Sequence, residues 1–124
     1  MDNQLVKPEP LVQRLVLVAL AILLAIFLAV LGMHLIQVSD PYTKKVFALN
    51  GDLVRGHAIF QMNCSGCHGI EAHGKVGPSL ENVSQHKSRA SLIHQVISGE
   101  TPPMPQFQPT AQEMADLLRY LESL

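Results

Sequence analysis

Hydrophobic and polar positions divide the chain into four stretches. Residues 1–10 are polar and contain two prolines, which predicts a short solvated tail. Nineteen consecutive residues from Leu15 to Met33 carry no charged or polar side chain, and with their apolar neighbours they predict one helix over residues 11–36. Such a helix can span a hydrocarbon layer of ~30 Å. Residues 37–50 predict a link, and residues 51–124 carry the mixed pattern of a small folded domain.

Helical periodicity marks three segments of this domain. The first follows Asp52, a capping residue, and runs to the first cysteine. The second covers Ser88–Ser98 and stops at Gly99. The third opens with a capping box that starts at Thr110, and its apolar side chains recur at helical spacing: Met114, Leu117, Leu118 and Leu121. No strand-like alternation competes, so we predict an all-α fold.

The apolar run has two interpretations, an uncleaved anchor or a cleaved signal peptide. Lys7 and Arg14 precede it, as basic residues precede the apolar core of a signal peptide. The run is longer than the about 7 to 15 residues of such a core. No small-residue cleavage site follows Met33. If the chain were cut after Ser39, the nearest small residue, the −3 position would be Gln37 and not a small residue. The sequence therefore favours an anchor.

Composition limits the function classes. The chain has 124 residues and a formal net charge of −1, which argues against a basic nucleic-acid-binding face. After the apolar helix and the link, only about 75 residues remain for a globular domain, and a core of that size usually needs a disulfide, a metal or a bound cofactor. A large substrate-binding enzyme is also disfavoured.

The two cysteines belong to one motif, Cys64-Ser65-Gly66-Cys67-His68. C-x-x-C followed by His is typical of covalent haem attachment, because thiols three apart on one helical turn reach two edges of a porphyrin and the histidine can face its iron. A zinc site would need two further ligands at comparable spacing, and a thioredoxin-like redox pair would need a surrounding βαβ pattern; the sequence contains neither. A chance occurrence of so short a motif is the third alternative.

Around this motif the residues resemble class I c-type cytochromes. Residues 51–68 are similar to the opening helix and haem site of that family, with Gly56 four residues before Phe60 and Phe60 four before Cys64. Three later motifs resemble the family's loop after the haem, its methionine ligand and its C-terminal helix: Gly77-Pro78-Ser79-Leu80, Met104 between two prolines, and residues 116–121. The resemblance covers about residues 51–124.

The resemblance implies a cytochrome c fold of three to four helices around one covalent haem c on Cys64 and Cys67. His68 and Met104 would be the axial iron ligands. Pro78 and Leu80 are expected to contact the haem, and the Pro78 carbonyl is expected to accept a hydrogen bond from the His68 ring.

The resemblance also implies a contact between the first and last helices, and two histidines stay open as ligands on general grounds. Gly56 and Phe60 would pack across two residues of the last helix, Leu117 and Tyr120. His86 and His94 remain alternative sixth ligands, because histidine binds metals readily.

The implied function is that of a one-electron carrier and not of an enzyme. An anchored, compact monohaem chain is similar to the small membrane-bound cytochromes c of bacteria, among them the cyanobacterial M-type and the anchored cytochromes of Gram-positive bacteria. Because haem is attached covalently outside the cytoplasm, we expect the haem domain in the periplasm or thylakoid lumen and the N-terminus in the cytoplasm. The expected partners are redox proteins and the lipid bilayer, without nucleic acid or a small-molecule substrate. Two alternatives stay open: a subunit of a respiratory or photosynthetic complex, and a haem sensor or enzyme with an opening sixth position.

Overall fold

The computed structural model describes residues 10–124, apart from the side chains of Gln37 and Val38. It divides the chain into two compact units, one ending at Ile36 and one running from Gln37 to Leu124. Residues 10–124 contain no strand, which confirms the all-α prediction. Their helices are α1 (Pro10–Ser39), α2 (Pro41–Phe47), α3 (Leu53–Asn63), α4 (Ser65–His68), α5 (Val83–His86), α6 (Arg89–Ser98) and α7 (Ala111–Leu121). The predicted tail, residues 1–10, lies outside the described residues except for Pro10.

Helix α1 carries apolar side chains on all sides. Its segment Pro10–Ile36 is long and apolar enough to cross a membrane. Within the described part of the chain, no residue of its apolar window is buried. A helix that is apolar all round is stable when a nonpolar medium surrounds it. The helix is therefore a candidate membrane span.

Helix α2 forms within the stretch that the sequence pattern predicts as a link. Asp40 caps it, because its Oδ2 accepts the N–H of Thr43 at 2.9 Å. The hydroxyl of Tyr42 donates to the carbonyl oxygen of Pro109 at 2.9 Å, and Val46 is fully buried. These contacts hold α2 against α7. Residues 41–47 therefore belong to the folded second unit.

Helices α3 and α7 form the main helix contact of the second unit. A Cβ atom at Gly56 would lie 2.6 Å from the carbonyl carbon of Asp116 and 2.9 Å from the Cβ of Tyr120. Only glycine lets the two helices approach so closely. Four residues later on α3, Phe60 is fully buried, and its ring centre lies 5.2 Å from that of Tyr120.

A buried carboxylate ties the start of α3 to α7. Asp116 is 2 % exposed and accepts hydrogen bonds from three residues. The donors are the backbone N–H of Asp52 at 2.7 Å, Nε and a second guanidinium nitrogen of Arg55 at 2.9 Å and 3.4 Å, and Nε2 of Gln112 at 2.9 Å. Burial alone raises the pKa of this carboxyl, but the three donor residues outweigh it and hold the pKa below its usual range. The cluster therefore contributes most to stability when Asp116 is ionised.

Helix α7 begins at the predicted capping box, and α6 begins after Ser88, the first residue of its predicted helical segment. The Ser88 hydroxyl accepts the N–H of Ser91, and α6 ends at Gly99 with a φ of +64°. On α7, Thr110 and Glu113 form the reciprocal capping box. The side chains of both helices then fill one core, whose fully buried large members include Phe60, Ile93, Met114, Leu117 and Leu118.

Candidate functional site

The cysteine motif closes one helical turn at the end of α3. Cys64 ends α3 and precedes α4, and its carbonyl oxygen accepts the N–H groups of Cys67 at 3.1 Å and His68 at 2.9 Å. Both thiols are free, with Cys64 half-buried and Cys67 exposed. The turn therefore presents two unlinked thiols and an imidazole within five residues.

The Cys64 thiol does not have the properties of a redox-active cysteine. Burial raises its pKa to about 11, and the adjacent Cys67 thiol adds to the effect. A reactive thiol of the thioredoxin kind has instead a depressed pKa, and its motif lies beside a strand. Residues 10–124 form no strand. The structure therefore argues against the redox-pair interpretation.

His68 is held by the loop that follows the motif. Its ring is buried, and Nδ1 donates a hydrogen bond to the carbonyl oxygen of Pro78 at 2.8 Å. Since Nδ1 carries the proton, the lone pair of the neutral ring is on Nε2, the nitrogen left to bind a metal. A Cβ at Gly77 would lie 2.8 Å from Cε1 of this ring, so the absence of a side chain there forms part of its cradle.

Backbone hydrogen bonds fix the loop against the motif. The N–H of Gly74 donates to the His68 carbonyl at 2.7 Å, and the N–H of Gly77 donates to the Cys67 carbonyl at 2.7 Å. Gly74 has a φ of +95°, a conformation that favours glycine. Leu80, at the end of the loop, is half-buried against the core. The predicted contact residues Pro78 and Leu80 are therefore positioned through the same loop as the ring of His68.

Met104 lies on a separate loop that folds back on α6. The N–H of Phe107 donates to the carbonyl of Val96 at 3.0 Å, and Gln106 Nε2 donates to the carbonyl of Ile97 at 2.8 Å. The Met104 side chain is half-buried and packs on the core. Its Sδ lies 3.8 Å from Nε2 of Gln95, which donates to it.

The other sulfur and imidazole candidates are placed differently. Met62 is 76 % exposed, and Met114 is fully buried in the core. His94 Nε2 lies 3.1 Å from a carboxylate oxygen of Glu100, while His86 is exposed on α5. Met104 therefore differs from Met62 and Met114, because its side chain is half-buried and it lies on a loop that is hydrogen-bonded to α6.

Sequence reasoning missed Gln95. It stands on α6 among apolar residues that pack into the core, and a long polar side chain at such a position is a usable signal. Gly77 was recognised as part of the motif Gly77-Pro78-Ser79-Leu80, but its contact with the His68 ring was not predicted from the sequence.

The donor set fits a covalently attached haem better than a zinc ion. Within residues 10–124, no three His, Cys, Asp or Glu side chains converge as a metal site would require. Two free thiols three residues apart, a buried histidine with its Nε2 lone pair available and a glycine against its ring match what haem c needs from the chain.

Comparison with known proteins agrees with this donor set. Residues 51–121 match the family described as cytochrome C oxidase, cbb3-type, subunit III. A Synechocystis protein described as cytochrome c-553-like is 64% identical over 85 residues, which cover 68% of this chain and 81% of that protein. The family match over residues 51–121 includes the motif from Cys64 to His68, which contains both cysteines of the chain. The chain therefore belongs to the monohaem c-type cytochromes.

Proposed function

We propose that the protein is a one-electron carrier in which Cys64 and Cys67 hold a single haem c covalently and His68 and Met104 are the axial ligands. The observation that carries the proposal is the buried His68 ring, whose Nδ1 is committed to the Pro78 carbonyl at 2.8 Å. Haem, when bound, supplies an iron that takes and gives up one electron.

The chain's own residues would set how that electron is exchanged. The Pro78 carbonyl fixes the orientation of His68 and increases the donor strength of Nε2. Met104, on its held loop, would close the sixth position with a soft thioether. With both positions filled, no substrate binds iron, which separates a carrier from a sensor or an enzyme.

We further propose that α1 is a single-pass anchor in an energy-transducing membrane. Support comes from its length, its apolar surface and the exposure of its side chains. Haem attachment outside the cytoplasm would place the second unit in the periplasm or thylakoid lumen, where respiratory or photosynthetic redox proteins are the partners. The N-terminus would then be cytoplasmic.

A second candidate function is that of a fixed subunit of a larger redox complex. The observation that favours it is the family match, since that family is described as an oxidase subunit. Size analysis of the protein extracted in mild detergent separates the two: a free carrier migrates at the mass of one chain with its detergent, and a subunit migrates with its complex.

The ligand set is tested with the holoprotein and Met104→Ala. Wild type should be low-spin, should not bind carbon monoxide when reduced, and should show the near-infrared sulfur-to-iron band when oxidised. Met104→Ala should lose that band, bind carbon monoxide and have a lower potential, because a soft thioether favours ferrous iron.

Two methionine variants serve as controls. Met62→Leu changes an exposed side chain and Met114→Leu changes a core side chain by a volume-conserving swap, so both should keep the wild-type spectrum. Rapid carbon monoxide binding by the wild type would refute the closed site. A low-spin, closed haem without the sulfur band would instead assign the sixth position to His86 or His94.

A further inference from the structure

We propose that Tyr42 is a positioning residue for the sixth haem ligand and that its hydrogen bond to Pro109 keeps the loop that carries Met104 closed. The inference rests on the proposed function, because it takes Met104 as the sixth ligand. It gives a role to helix α2, which lies before the residues 51–121 that match the family.

The loop between α6 and α7, residues 99–109, has few backbone donors of its own. Four of its last nine residues are prolines, and proline has no N–H group. A loop of this composition depends on contacts from other elements. Helix α6 supplies them at the middle of the loop, where it accepts the hydrogen bonds of Phe107 and Gln106.

Tyr42 supplies a contact at the end of the loop. Its hydroxyl donates to the carbonyl oxygen of Pro109 at 2.9 Å, across 67 positions of sequence. Pro109 is buried, and a buried carbonyl oxygen gains more from a protein donor than an exposed one does. The bond therefore ties the residue just before the capping box of α7 to helix α2. Met104 stands five positions before Pro109 in the sequence.

The Tyr42 hydroxyl keeps the proton that it donates. Burial raises the pKa of this group, and the carboxylates of Glu113 and Asp40 raise it further. A tyrosine whose pKa lies above its ordinary value is neutral throughout the physiological pH range. The donor is therefore present throughout that range.

Helix α2 is fixed to both neighbouring helices, so it can hold the loop in place. Val46 of α2 is fully buried in the core. The guanidinium carbon of Arg89, at the start of α6, lies 5.1 Å from the ring centre of Phe47 at the end of α2. Arg89 Nε also pairs with a carboxylate oxygen of Glu122, at the end of α7, at 2.8 Å. Tyr42 therefore donates from a helix that is anchored by packing and by a charged contact.

Opening of the loop is the motion that connects this bond to the sixth ligand. Proteins open locally in cooperative units, and segments with few buried contacts open at low free energy. When residues 99–109 move away from α6, Met104 leaves the sixth position and an external ligand can enter. The Tyr42 bond has to break in such an opening, so it lowers the population of the open state.

The test compares Tyr42→Phe with wild type, both as reduced holoprotein, by amide hydrogen exchange. The variant keeps the ring and loses the donor, and a neutral hydrogen bond is equivalent to about threefold to tenfold in an equilibrium constant. The Phe107 amide, whose bond to the Val96 carbonyl breaks when the loop opens, should therefore exchange about threefold to tenfold faster. The Gly74 amide, in the loop that holds His68, should exchange as in wild type.

A merely structural bond gives a different pattern. If Tyr42 stayed bonded to Pro109 while the loop opened, its loss would speed exchange only at amides that require global unfolding. The amide of Leu118, which is fully buried on α7, reports that process. Phe107 would then exchange as in wild type.

Ligand binding measures the same opening at the sixth position. Imidazole binds ferric iron only when Met104 has left, so its apparent affinity is proportional to the open population. Tyr42→Phe should raise that affinity by about threefold to tenfold. Tyr120→Phe is the matched control, because it makes the same chemical change at a tyrosine whose ring packs on Phe60 where α3 meets α7. It should leave both the affinity and the exchange of Phe107 unchanged.

Each failure has its own signature. If wild type shows the sulfur band and Tyr42→Phe changes neither Phe107 exchange nor imidazole affinity, the inference is wrong and the ligand assignment stands. Faster exchange at Phe107 without a change in imidazole affinity would mean that the bond holds the loop and not the ligand, which also overturns the proposal. If wild type lacks the sulfur band, the ligand assignment fails first and this inference fails with it.

Discussion

Replacing Gly56 by alanine should push α3 away from α7. The added Cβ would lie 2.6 Å from the carbonyl carbon of Asp116 and 2.9 Å from the Cβ of Tyr120, whereas ordinary contact begins at 3.4 Å. Neither neighbouring atom is the end of a flexible side chain, so no rotamer change relieves the overlap. The helices would have to separate by roughly 1 Å at a contact that is otherwise close-packed.

Two opposing effects set the magnitude. Alanine is favoured over glycine inside a helix by about 1 kcal/mol. Overpacking a tight contact costs about 1–3 kcal/mol, and a contact against backbone belongs at the upper end of that range. We therefore expect Gly56→Ala to lower the free energy of unfolding by about 2 kcal/mol. For a domain of this size the midpoint should fall by about 8–16 °C.

Thermal unfolding of the holoprotein, followed by helical circular dichroism and by haem absorbance, measures this effect. Gly32→Ala is the matched control, because Gly32 also lies inside a helix, α1, and no atom is within 4 Å of its added Cβ. That variant should be as stable as wild type or slightly more so. If Gly56→Ala raised the midpoint as helix propensity alone requires, the proposed close approach of α3 and α7 would be refuted.

Three more predictions concern the hydrogen bonds around Asp116, the covalent attachment of haem and the retention of α1 as a membrane anchor. Asp116→Asn should cost about 1–3 kcal/mol at pH 7, since buried donors lose a charged acceptor. The pKa of Asp116 is depressed in the folded state, so the difference from wild type should be complete above about pH 5 and shrink as the pH falls below ~4 in pH-dependent unfolding. Cys64→Ser or Cys67→Ser should abolish the haem-stained band at the mass of the chain in denaturing gels; a wild-type protein of correct mass without stain would contradict covalent attachment. Intact mass of the mature protein should include α1, and a chain starting near residue 33 or 40 would identify a cleaved signal peptide instead.

Local signals were sufficient for the helix ends of the second unit. Asp52, Ser88 and Thr110 cap their helices with hydrogen bonds to backbone N–H groups within three residues, so a short window of sequence contains all the information that is needed. The turn around Cys64 is local in the same sense, since the backbone bonds that close it span three or four residues.

Contacts between distant residues account for what the sequence did not reveal. Helix α2 is short, and its place depends on a bond from Tyr42 to Pro109, 67 positions away. The approach of Gln95 to Met104 depends on how a proline-rich loop returns to α6. Neither contact leaves a periodic pattern, because each joins single side chains whose partners are fixed only by the tertiary structure.

The junction between α1 and α2 has a kinetic consequence. Only Asp40 stands between the last residue of α1, Ser39, and the first of α2, Pro41, and α2 is packed into the second unit. Under the proposed anchoring, the chain therefore lacks the length of flexible linker over which a tethered domain samples a large volume. Encounters with partners would depend on lateral diffusion and on the number of partner molecules per membrane area. Anchoring would raise the effective concentration of the second unit for partners in the same membrane. It would give no such gain for partners held far from the membrane surface.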